Sequence, residues 1–151
     1  MLTDLTSGAL ARARQRRSDL HRALQELEEA LASPVPGRSA SWRADLTRVL
    51  ERLIHAFRAH VEETEGRDGL LAQIVTEAPR LANPVERMKE EHVSLSAELQ
   101  RAKADAHAGV LSSGDVREEL MGLCVKMARH RQAGSDLVYE AYTVDIGTGA
   151  D

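Results

Sequence analysis

VERMKEEHVSLSAEL, residues 85 to 99, decides how this chain folds. Val85, Met88, Leu95 and Leu99 recur at helical spacings, marking a helix with one face turned inward. His92 falls inside that stripe, four residues after Met88 and three before Leu95. A titratable side chain on an apolar face is unusual enough to need a reason.

The same pattern recurs on either side. Leu46, Val49, Leu50, Leu53 and Phe57 trace a stripe that leads to His60, three residues after Phe57. Val116, Leu120, Leu123, Met127 and Leu137 trace another, with His130 in register. Leu20, Leu24, Leu27 and Leu31 form a fourth, with His21 at its edge. His55 falls nearly opposite Leu46 and Leu53 on the helical wheel, and His107 sits where a helix frays into a Gly-Ser loop, so both are predicted on the surface.

Breakers separate these runs. ASPVPGRSAS (32 to 41), GRDG (66 to 69), the region around Pro79 and AGVLSSGD (108 to 115) punctuate the chain, leaving four long helices and a short helical segment from Leu70 to Ala78. Asn83 before Pro84, and Ser113 or Asp115, are the predicted caps of the last two long helices. Aromatic residues make up only 3% of the chain while Ala, Leu, Glu and Arg abound, which favours helix over strand. At 151 residues the chain is read as one all-α domain, 1 to 151, a four-helix up-and-down bundle with a short irregular tail from about 144 to 151. A domain of this size buries about 70% of its unfolded surface, so it needs no metal merely to fold.

Composition excludes several function classes. Cys124 is the single cysteine, so no internal disulfide forms, and its place in an apolar run makes it a packed residue rather than a nucleophile. There is no leader-like segment and no long apolar run, which points to the cytoplasm and away from a membrane. The net charge of −4 argues against nucleic acid; the basic run RARQRR (12 to 17) lacks aromatic company and reads as a solvated helix face. No phosphate-binding glycine loop, haem-attachment motif or paired-cysteine zinc pattern occurs. Trp42 is expected to anchor the long loop before it, and Tyr139 and Tyr142 either to line an access path or to pack the end of the bundle.

The histidines point to a metal. About three positions in seven of a core-facing helix point inward, so four independent histidines would all do so with a probability of roughly 0.03. In an antiparallel bundle, facing helices lie about 8 to 10 Å apart, so His21, His60, His92 and His130 at matching depth converge, and converging neutral imidazoles suit a transition metal. Carboxylates near them are candidate partners: Glu63 and Glu65 after His60, and Asp136 after His130. Glu65 and Asp136 are favoured because Gly66 and Gly134 give the backbone freedom to swing them toward the axis, with Glu63 the alternative to Glu65. An undistorted helix leaves Glu65 about 140° around from His60, so ligation by Glu65 requires the helix to widen or end there.

With His21 in the first run, His60 followed by acids in the second, EEH ending at His92 in the third and His130 followed by Asp136 in the fourth, the chain resembles the hemerythrin-like, or HHE cation-binding, proteins over roughly residues 15 to 142. That resemblance implies a four-helix bundle holding a non-heme di-iron centre that binds, senses or breaks down dioxygen, peroxide or nitric oxide. It departs from the family pattern at Thr64, where the second-helix acid usually stands, at Gly134 and Ser135, where the fourth-helix acid usually stands, and at Ser96 or Met88, where oxygen carriers have a second histidine. A di-iron site, a mononuclear site for iron or another transition metal, and a metal-free interaction module with a degenerate site are thus the forms left open.

Overall fold

Helix-favouring composition and apolar stripes produce five α-helices in the computed structural model, which describes residues 2 to 144: α1 (Leu2–Ala32), α2 (Ser39–Glu65), α3 (Leu70–Glu77), α4 (Ala82–Ala108) and α5 (Ser113–Tyr139). There is no strand among the described residues, and no described helix is long and apolar enough to cross a membrane. The four long helices form a bundle in which α1 packs on α2 and α5, and α4 on α2 and α5. Neighbours run antiparallel. Arg12, early in α1, donates to Glu63 at the end of α2, while Trp42, at the start of α2, donates its indole N–H to the Ala30 carbonyl at the end of α1. Arg117 at the start of α5 donates to the Ser33 carbonyl beyond α1.

The stripes read from the sequence are the buried ones, and they build two apolar clusters. The larger runs from Leu20 through Trp42, Leu50 and Phe57 to Leu99 and Met127. Burying side chains of this kind contributes about 1.5 to 3 kcal/mol each. The smaller gathers Leu70, Leu71 and Ile74 of α3 with Val85, Met88, Leu137 and Ala141. His92 lies between Met88 of one cluster and Leu95 of the other, and His130 between Met127 and Leu137, so the histidines form a polar layer where the two clusters meet.

Local chemistry sets the ends of the helices. Glu65 is the last residue of α2, and Gly66 leaves in an extended conformation, φ −61° and ψ 161°. Gly69 then passes so close to that helix end that a Cβ would stand 2.4 Å from the Glu63 carbonyl oxygen and 2.8 Å from that of Thr64. No other residue fits there without moving backbone. The caps differ from those predicted. A 3₁₀ turn, Pro79–Leu81, runs directly into α4, so Asn83 is already inside the helix and makes no cap. At α5 the cap is Ser112, whose hydroxyl accepts from the Asp115 N–H at 3.1 Å. α5 passes unbroken through Gly134 and gives way to a π-helical turn, Glu140–Val144; the remainder of the expected tail, 145 to 151, lies outside the described residues.

Candidate metal centre

Three imidazoles from three helices meet over one phenyl ring. Phe57, almost wholly buried, lies 6.0, 5.8 and 6.1 Å from the ring centres of His60, His92 and His130. The histidine rings are 5.2, 5.8 and 4.9 Å apart, centre to centre, and meet edge to face. One nitrogen from each falls within 4.8 Å of the others. His92 and His130 are only 2% and 3% exposed.

Burial keeps all three uncharged. It pushes His60 down to about 3, helped by His92, His130 and Arg17 nearby, and His92 down to about 4, helped by His130. His130 is also lowered by burial, against an opposing pull from Glu91. At neutral pH each ring therefore carries one N–H and one lone pair. His60 Nδ1, His92 Nε2 and His130 Nδ1 are buried with no hydrogen-bond partner. An unpartnered buried polar atom costs about 1 to 3 kcal/mol, so three in one layer call for a ligand.

Glu65 completes the arrangement. Its Oε2 lies 2.6 Å from His92 Nδ1, close enough to accept that N–H and fix the tautomer that leaves Nε2 bare. Burial raises the carboxyl above its ordinary range, and Lys89 opposes the rise. The helix does not widen to let Glu65 reach inward; it ends there, and the side chain crosses to α4. Thr64, four residues after His60, turns its hydroxyl back to the His60 carbonyl at 2.8 Å.

No family model, curated protein or solved structure matches the chain.

The other candidate residues are placed apart from the cluster. Glu63 pairs with Arg12 of α1 at 2.5 Å. Asp136 is exposed and accepts from Gln132 at 2.9 Å. Six residues on from His130 in a regular helix is a turn of about 240°, and Gly134 does not interrupt the helix to correct it. His21 is half-buried and borders a cavity that His60, His92 and His130 also line, but its Nδ1 accepts from Arg131 at 2.9 Å, so that nitrogen is occupied. His55 and His107 are exposed, as predicted. Cys124 packs against the larger cluster, and burial pushes its thiol up to about 11, so it is not a ready nucleophile. Tyr142 packs in the smaller cluster and Tyr139 is 60% exposed; neither lines the cavity.

Two side chains not singled out beforehand belong to the site. Glu91, next to His92, brings Oε2 to 3.6 Å from His130 Nδ1, near enough to attract but too far for a hydrogen bond. Arg17 leaves its basic run to border the cavity and donates to Ser135 at 2.8 Å. The signal was its spacing, three before Leu20 and four before His21.

The donors fit a single first-row transition ion: three neutral imidazoles, one nitrogen of each within 4.8 Å of the others, and one carboxylate behind the second. The larger ligand set implied by the family resemblance is not gathered here, because Glu63 and Asp136 point elsewhere.

Proposed function

We propose that this chain is a hemerythrin-like, histidine-rich non-heme iron protein that binds iron on His60, His92 and His130 and handles dioxygen, peroxide or nitric oxide beside it. The observation that carries this reading is a set of three uncharged imidazoles, two buried and one half-buried, that converge from three helices, each with a buried nitrogen lacking a hydrogen-bond partner. Bound there, iron supplies an open coordination position and a redox couple for a small oxidant or diatomic gas. Glu65 holds the proton on His92 Nδ1, keeping the other nitrogen free as a donor. Phe57 closes the site on the side of the larger cluster. On the other side lies a cavity of about 60 Å³ whose walls next to the histidines include Leu71, Ile74 and Leu137. His60, His92 and His130 come from α2, α4 and α5, so loading should link three helices at once.

The test is metal content and spectroscopy of protein loaded anaerobically with ferrous iron. About one iron per chain, with a nitrosyl signal on adding nitric oxide, is the expected result; about two would restore the di-iron form. Less than about a tenth of an ion per chain after loading would overturn the reading in favour of a metal-free bundle.

A further inference from the structure

The cavity next to the histidines has a polar end that the metal reading does not use. Arg17, His21 and Arg131 all border it, on the seam between α1 and α5. Arg17 is half-buried, and no ion pair among the described residues includes Arg17 or Arg131. Burial and repulsion from Arg131 and Arg14 all work against the charge on Arg17. In a protein of net charge −4, this is a local excess of cation with acids kept away.

The hydrogen-bonding inventory has the same sign. A guanidinium only donates, so His21 Nδ1 accepts from Arg131, which leaves the His21 hydrogen on Nε2. Ser135 accepts from Arg17, leaving its own hydroxyl hydrogen to donate. This end of the cavity therefore offers donors from two guanidiniums and an imidazole, and no carboxylate. Its walls are hydrocarbon: Leu20, Leu24, Leu70, Leu71, Ile74 and Leu137. A cavity of about 60 Å³ is sized for a small ligand.

We propose that this chamber binds a short aliphatic monocarboxylate of propionate to butyrate size, its carboxylate held by Arg17 and Arg131 and its alkyl chain among Leu71, Ile74 and Leu137. Two guanidiniums bordering one cavity, Arg17 half-buried and Arg131 exposed, each keep donors beyond the one given to Ser135 or His21, and together suit a planar carboxylate. The leucine walls favour an alkyl tail over a hydrated inorganic anion, and the small volume favours a short chain over a long one. The proposal does not rest on metal binding, since neither guanidinium is among the residues proposed to hold iron.

Calorimetric titration of the metal-free full chain with butyrate at low salt tests it. Saturable binding with Kd below about 1 mM is expected, a value within reach of a six-atom ligand. Butyramide, equal in size but uncharged, and the Arg17→Met variant should each weaken binding at least about tenfold. Octanoate should bind more weakly than butyrate; binding as tight or tighter would overturn the short-chain assignment. Arg131→Met, checked for native helicity and melting, provides the same test should Arg17→Met fail to fold. The proposal is overturned if butyrate fails to saturate by about 10 mM, if butyramide binds equally well, or if folded charge-removed variants bind as the parent does. Nitrate binding as tightly as butyrate would also overturn it, making the site one for inorganic anions. A chain that takes up no iron yet binds butyrate would sink the metal reading and leave this one standing.

Discussion

Individual side chains at the histidine layer have separable roles. His60→Ala, His92→Ala and His130→Ala should each abolish stoichiometric iron binding, while His55→Ala and His107→Ala should leave it unchanged and shift stability by less than about 0.5 kcal/mol in denaturant titrations. Glu65→Gln should weaken iron affinity about 10- to 100-fold, because the amide no longer holds the His92 proton as a carboxylate does. Glu63→Gln, which loses only a partly exposed pair with Arg12, should keep iron and cost less than about 1 kcal/mol. Iron loss in Glu63→Gln but not in Glu65→Gln would reverse the assignment. Acid should unfold the metal-free chain through the same residues. In the unfolded chain a histidine takes its proton near 6.5, whereas His60 waits until about 3 and His92 until about 4. Between those limits the unfolded state binds more protons, so stability is full above about 6.5 and is lost as pH falls, by up to about 1.4 kcal/mol per pH unit for each ring. Urea midpoints of metal-free protein that stay flat from pH 7 to 5 would contradict the burial of these rings.

Among the elements, two glycines divide by surroundings. Gly69 lies against the last carbonyls of α2, so Gly69→Ala must push backbone apart and should destabilise the protein by more than about 1 kcal/mol, while displacing Glu65 and weakening iron binding. Gly134 is mid-helix, with nothing within 4 Å of an added Cβ. Gly134→Ala should therefore stabilise the protein by about 0.5 to 1 kcal/mol, read from its melting curve. These positions also show what was legible in the sequence. The stripes through Leu53, Met88 and Met127 were readable because helical period is a local property, and with them came His60, His92 and His130. The break at Gly66 was readable too, as was the short helix after it. Asp136 was misplaced because Gly134 suggested a distortion that a helix packed on its neighbours does not make. Arg17 was hidden by its company: it closes the six-residue basic run RARQRR, and only its own spacing to Leu20 and His21 marks it as inward. Glu91 reaches a histidine on another helix, a relation that no spacing within α4 can reveal.

For the molecule as a whole, the layer of imidazoles interrupts hydrocarbon that would otherwise run from Trp42 to Ala141 as one body. Three nitrogens without a hydrogen-bond partner sit in that layer, and each weakens the metal-free fold by about 1 to 3 kcal/mol. Leucine is apolar, carries no such nitrogen and differs little in bulk from histidine. Changing His60, His92 and His130 together to leucine should thus fuse the two clusters and raise the melting temperature by several degrees over the metal-free parent, at about 2 to 4 °C per kcal/mol, while iron binding disappears. A triple variant that melts below the metal-free parent would show that the imidazoles are satisfied where they are. If it melts above, this bundle is a scaffold held short of its own best stability, and the shortfall measures what an empty site withholds from the fold.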